Sequence, residues 1–175
     1  PDATVCFAIK SFLFFGILQS NIHACYAWQN ASKMKSDLRY SPSDAFETFP
    51  FPTFSNEQKI LIGKISKDFY CLRKLVMRGK VIGLTKFYRQ YHDPENNVED
   101  ILSARQLQKQ IDEIVRDSYG WSDIDLEHDF HAVGYLPSND NIRYTISESA
   151  RIEILRRLAI LNKQRWQEEQ EVGHA

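Results

Sequence analysis

Histidine and aspartate side chains cluster in the C-terminal half of the chain, and their types could support metal chemistry. The cluster comprises Asp125, His128, Asp129 and His131, and His92-Asp93 is a second place with the same pair. Imidazole nitrogens and carboxylate oxygens bind metals, so this set would suit a metal-dependent phosphohydrolase. The spacing matches no named zinc pattern, and both residue types are common in loops and helix caps. The pattern therefore favours an ordinary loop over a metal site.

A second candidate site is the polar stretch from Lys33 to Tyr40. It holds three cations, Lys33, Lys35 and Arg39, together with hydroxyl and aromatic groups. Lysine and arginine neutralise phosphates, and serine hydroxyls or backbone N–H groups donate hydrogen bonds to them. The same composition is typical of a solvated loop, which it favours when taken alone.

Several classes of protein are disfavoured by what the sequence lacks. It contains no G-x-G-x-x-G, no P-loop and no G-x-S-x-G motif. Its three cysteines, Cys6, Cys25 and Cys71, lie in apolar stretches without C-x-x-C spacing, which predicts reduced, buried thiols in a cytoplasmic protein. The apolar run from Val5 to Leu18 contains Lys10 and is too short to span a bilayer. We expect a buried helix there, no membrane partner, and, since the chain starts at Pro1, a piece of a larger protein.

The net charge of −1 conceals an uneven distribution. Residues 1–52 are neutral, residues 53–92 carry nine Lys and Arg against two acidic residues, and residues 93–175 carry nine against seventeen. A basic middle followed by an acidic end favours either an anionic partner or pairing between the two parts.

Hydrophobic periodicity predicts a mainly α fold with a minor β hairpin. One helix is expected over 7–28, and a second begins at the capping box of Ser55 and Gln58 and runs to Gly79. Shorter helical patterns follow over 84–91 and up to Gly120, and a last helix begins after Ser147. Residues 133–136 and 142–146 could form a hairpin.

Residues 46–54 alternate phenylalanine with proline and predict an extended strap, because Pro50 and Pro52 forbid a helix. Its phenylalanines could stack on bases, but aromatics beside prolines are more often core. We place a domain boundary after this strap, between residues 1–54 and 55–175.

The ordered series of motifs resembles one family. Its parts are Ile17-Leu18-Gln19-Ser20-Asn21-Ile22-His23 through Trp28, Leu38-Arg39-Tyr40-Ser41-Pro42, Thr48-Phe49-Pro50-Phe51-Pro52, Gly83-Leu84-Thr85-Lys86-Phe87-Tyr88, His92-Asp93-Pro94, Tyr119-Gly120-Trp121-Ser122-Asp123 and Arg143-Tyr144-Thr145-Ile146. They resemble the end of the target-recognition region, and the C-terminal part, of large bacterial adenine-specific DNA methyltransferases. These are fused restriction-modification enzymes of the MmeI and Eco57I type and related methylases of phage defence.

The resemblance implies a non-catalytic role for this chain. Such methylases have a glycine-containing S-adenosylmethionine motif and an Asn-Pro-Pro-Tyr-type loop for the flipped adenine, and neither occurs here. The cofactor and the catalytic region would therefore belong to the parent protein, and DNA would be the partner. The resemblance implies phosphate contacts by Lys33, Lys35 and Arg39 beside Tyr40, with His23 and Trp28 orienting that segment. A helical protein-interaction module without DNA affinity is the alternative.

Overall fold

The structure is a computed structural model that describes residues 5–34 and 37–173. In these ranges it is mainly helical, as predicted, and it has two separate two-stranded antiparallel sheets where the sequence predicted one hairpin. The helices are α1 Phe12–Gln19, α2 Asn21–Asn30, α3 Asn56–Gly79, α4 Leu84–Tyr91, α5 Glu99–Ser118 and α6 Glu148–Gly173, and the strands are β1 Ser32–Met34, β2 Asp37–Arg39, β3 Asp129–Ala132 and β4 Ile142–Thr145.

The single helix expected over 7–28 is wrong, because the chain breaks at Ser20 into α1 and α2. Ser20 has extended backbone angles, φ −64° and ψ 149°. Its hydroxyl donates to Ile17 O (2.7 Å) and accepts from His23 N (3.2 Å), so it ends one helix and caps the next. Residues 7–11 lie outside any helix.

Two strand predictions also need correction. Residues 32–39, expected as a polar loop, contain β1 and β2, which pair as Ser32 with Arg39, Lys33 with Leu38 and Met34 with Asp37. The other hairpin exists, but its first strand is β3, which begins four residues earlier than predicted and pairs with β4.

The Pro/Phe-rich strap is only partly extended. Residues Pro42–Phe46 form a π-helical turn, and irregular extended chain runs from Pro50 to Ser55. Phe49 and Phe54 are buried in the core, as predicted. Tyr119 OH donates to Pro50 O (2.9 Å), and Arg165 Nη1 donates to Phe51 O (2.9 Å), which fastens the strap to the ends of α5 and α6.

The main core lies between α3, α5 and α6 and extends to α1 and α2. Its fully buried side chains include Ile22, Ile62, Phe69, Phe87, Ile101, Ile111, Val115, Ile154 and Leu158. Helices α1 and α3 approach each other closely at Gly16, where a Cβ atom would collide with Ser66 Oγ. Residues on both sides of residue 54 share this core, and the division into two domains at that position stays a prediction.

Two remaining observations concern the cysteines and membranes. Cys25 is buried, but Cys6 and Cys71 are exposed, so the prediction of three buried thiols is wrong for those two. Within the described ranges, no helix is both long and apolar enough to cross a membrane.

Candidate nucleic-acid interface

The hairpin of β1 and β2 carries two of the cations that the sequence singled out, Lys33 and Arg39. Lys33 lies in β1 opposite Leu38, and Arg39 ends β2 with an exposed side chain. Lys35 lies outside the described residues, as does the side chain of Lys33. Lys33 and Arg39 therefore belong to one short antiparallel ribbon, and two-stranded ribbons are among the elements that fit the DNA major groove.

His23 and Tyr40 lie at the base of this hairpin. His23 Nε2 and Tyr40 OH are 3.0 Å apart, and the His23 ring meets Phe49 edge-on with centroids 4.7 Å apart. The His23 side chain is buried, and this burial lowers its pKa to about 4. Since the imidazole is neutral at neutral pH, His23 brings no charge to a phosphate. It contacts Tyr40, which directly follows β2 in the chain.

Trp28 lies elsewhere, near the C-terminal end of α2. Its ring stacks on Tyr135 with centroids 4.6 Å apart and planes 27° apart. Arg151 lies over the other aromatic ring of this pair, 6.0 Å from the Tyr135 centroid. The stack ties α2 to the loop before β4 and to α6, so Trp28 contacts the C-terminal part of the chain.

A buried polar network fixes the junction between α1 and α2, and sequence reasoning missed it. Asp112 of α5 is fully buried. Its Oδ1 accepts from Asn21 N (2.7 Å) and Gln108 Nε2 (3.1 Å), while its Oδ2 accepts from Asn21 Nδ2 (2.7 Å) and His128 Nε2 (2.8 Å). Thr145 Oγ1 completes the set by donating to Asn21 Oδ1 (3.0 Å). Residues up to 124 positions apart thus set where α2 begins.

One signal for this network was present in the sequence. Gln108 and Asp112 share the face of α5 that also carries Ile101, Ile111 and Val115, and a carboxylate on an apolar face requires partners. The identity of those partners is not readable from helical spacing.

The histidine and aspartate cluster does not converge on one point. His128 binds Asp112, His131 Nε2 contacts Glu127 O (2.8 Å), and Asp125 Oδ1 accepts from Glu127 N (3.1 Å). Among the described residues, no group of three or more histidines, cysteines or carboxylates could hold a metal ion. The described residues around His92 likewise form no such group, and His92 Nδ1 accepts from Tyr144 N (3.2 Å).

All but one of the cations of α3 are exposed, and none forms an ion pair with a described carboxylate of the acidic end of the chain. Every ion pair between described residues lies within 109–157, so the carboxylates of the C-terminal part pair with their own cations. Arg73 points inward and donates to Tyr88 OH (2.7 Å). The remaining cations of α3 and its C-cap are exposed, namely Lys59, Lys64, Lys67, Lys74, Arg78 and the C-cap residue Lys80.

Comparison with protein families identifies the N-terminal part of the chain. Residues 2–53 match the family model described as "MmeI, target recognition domain". Searches of curated proteins and of solved structures gave no match. The matched range holds α1, α2, the β1–β2 hairpin and all but the last residue of the strap. The resemblance is thereby confirmed for residues 2–53, which are similar to the target recognition domain of MmeI, and for the rest of the chain it stays a prediction.

Proposed function

We propose that this chain recognises DNA as the non-catalytic C-terminal part of a site-specific adenine DNA methyltransferase. The observation that carries the proposal is the match of residues 2–53 to the MmeI target recognition domain. The parent would act in restriction-modification or phage defence in the cytoplasm, and it would bind S-adenosylmethionine and methylate adenine through a catalytic region that this sequence does not contain.

The β1–β2 hairpin is the element we assign to DNA. Lys33, Lys35 and Arg39 are its cations, and each would neutralise a phosphate. Support comes from its base, where Tyr40 is held by the neutral, buried His23. A ribbon anchored in this way keeps its orientation when it meets a duplex, which lowers the entropic cost of binding.

The proposal is tested by the salt dependence of DNA binding. The whole 175-residue chain is titrated with a fluorescent duplex of randomised sequence, and Kd is measured by anisotropy between about 50 and 200 mM salt. Replacing Lys33, Lys35 and Arg39 with alanine should weaken binding and lower the slope of log K against log salt by up to about 2.7, since each phosphate contact contributes about 0.9.

The matched control removes cations from another surface. Lys109 of α5 and Arg156 of α6 pair with carboxylates of their own helices, Glu113 and Glu153, and their replacement with alanine should leave the slope within error. An equal loss in both variants would mean that only net charge matters, and an unchanged slope in the hairpin variant would refute the assignment.

A protein-interaction module is the second candidate. The exposed aliphatic side chains Ile60, Leu75 and Val81 favour it, since they are 75%, 68% and 90% exposed. This candidate predicts that the chain has no measurable affinity for duplex DNA even at low salt.

A further inference from the structure

Helix α3 presents an outward stripe of cations that lies beyond the range matched to the target recognition domain. The stripe consists of Lys64, Lys67, Lys74 and Arg78, with the exposed Cys71 at its centre. Their spacings of three, four and seven residues place them on one face of a helix. The opposite face holds Ile62, Phe69 and Val76, which are buried in the core, so the stripe faces away from the protein.

The charges of this stripe have no carboxylate partner in the described part of the chain. Each ion pair among the described residues lies within residues 109–157, and none involves the four stripe residues. Lys74 contacts a ring instead, since its Nζ lies 5.9 Å from the Tyr70 centroid. Four cations on one surface that form no ion pair, even with the exposed Asp68 on the same helix, favour a partner that carries dense negative charge.

The stripe also connects to the hairpin through the N-terminal segment. Phe12 packs against Tyr70 of α3 with centroids 5.7 Å apart, and Phe7 packs against Tyr40 with centroids 6.2 Å apart. Phe7 and Phe12 are separated by five residues, which span at most about 18 Å. The base of the hairpin and the flank of the stripe are therefore close enough to contact the same duplex.

We propose that the stripe of Lys64, Lys67, Lys74 and Arg78 is a second DNA-contacting surface, which holds the phosphate backbone beside the site that the hairpin reads. From Lys64 to Arg78 the helix rises about 21 Å, and a duplex presents about twelve phosphate charges over that length. The contacts are to the backbone, so they add affinity without sequence preference. The proposal rests on the proposed function, because it takes the same duplex as its partner.

The first test uses salt dependence with three variants of the full chain. A stripe variant replaces the four cations with glutamine, and a charge-retaining variant exchanges the three lysines for arginine and Arg78 for lysine. The stripe variant should lose affinity equally for all duplex sequences, with a slope smaller by up to about 3.6. The charge-retaining variant should bind like the wild type, and Ile60→Ser with Leu75→Ser, which alters neighbouring exposed side chains only, should keep the wild-type slope.

The results separate this proposal from the hairpin assignment. A stripe variant with the wild-type slope, alongside a hairpin variant with a reduced slope, would overturn the second surface and leave the proposed function standing. The reverse pattern would support the second surface and refute the hairpin. A slope reduced by Ile60→Ser with Leu75→Ser as much as by the stripe variant would overturn the charge argument, because the altered side chains are uncharged.

The second test measures whether bound DNA covers the stripe, by following the alkylation rate of Cys71. In a Cys6→Ser background Cys71 is the exposed thiol and Cys25 is buried. Alkylation of Cys71 by iodoacetamide should slow several-fold when saturating duplex DNA is present at low salt. A rate that is unchanged by bound duplex would overturn the proposal, even if the hairpin binds DNA, since a partner held only by the hairpin leaves the stripe uncovered.

Discussion

The buried carboxylate of Asp112 accepts four hydrogen bonds at the α1–α2 junction, and Asp112→Asn tests how much they stabilise the fold. Oδ1 accepts from Asn21 N and Gln108 Nε2, and Oδ2 accepts from Asn21 Nδ2 and His128 Nε2. An asparagine has one oxygen, so its NH₂ group must face one of these two pairs of donors. A buried donor without an acceptor costs about 1–3 kcal/mol, so the variant should lose about 2–5 kcal/mol of unfolding free energy.

The loss is measured by urea unfolding followed by circular dichroism. The midpoint should fall while the m-value stays constant, since the surface exposed on unfolding does not change. Asp117→Asn is the matched control, because Asp117 lies on the same helix with an exposed side chain paired to Arg116. Exposed pairs contribute about 0–1 kcal/mol. Equal losses in the two variants would refute the view that Asp112 organises the α1–α2 junction.

Two further predictions concern packing and pH. Gly16→Ala should lower the unfolding free energy by about 1–3 kcal/mol, because its Cβ would collide with Ser66 Oγ and approach Ile62 Cγ1 to 3.0 Å. Adding Ser66→Ala should recover most of the loss. If Gly16→Ala alone were as stable as the wild type in urea, the close contact would be contradicted. Burial lowers the pKa of His23 to about 4, and burial together with the charges of Arg143 and Arg105 lowers the pKa of His92 to about 4. The unfolded chain therefore binds more protons than the folded chain below about pH 6.5, and the unfolding free energy should fall from there towards pH 4. Each histidine contributes up to about 1.4 kcal/mol per pH unit to the dependence of unfolding free energy on pH. His92→Asn, which keeps an acceptor for Tyr144 N, should reduce this dependence in urea titrations at several pH values. A variant with the wild-type dependence would exclude His92 as a cause of the loss of stability.

Local patterns predicted the long helices well. The capping box of Ser55 and Gln58 is present with both hydrogen bonds, at 3.1 and 2.9 Å, and α3 ends at Gly79 as expected. Helix α4 occupies the predicted range, and Gly120 with φ +75° lies just beyond α5. These features depend on residues within one or two helical turns of each other, so their causes are visible in the sequence.

The site was harder to predict, because its contacts join distant segments. The position of Ser20 within an apolar helical pattern concealed the break between α1 and α2, which its own side chain and the distant Asp112 stabilise together. Residues 32–39 have the composition of a solvated loop, and their pairing as strands is decided by antiparallel hydrogen bonds that composition does not encode. The motif series gave His23 a role in orienting the segment from Lys33 to Tyr40, but only the tertiary structure shows that its ring is buried and lies 3.0 Å from Tyr40 OH.

The sequence alone determined the helical class, the caps of α3, the uneven distribution of charge and the similarity of the N-terminal part to a target recognition domain. Only the tertiary structure decided which buried polar groups meet, since Asn21 and Thr145 are 124 residues apart. It also decided that the acidic end pairs with its own cations and leaves the α3 stripe open. Periodicity and capping follow from short-range hydrogen bonding, whereas ion pairs and buried networks depend on how whole elements pack.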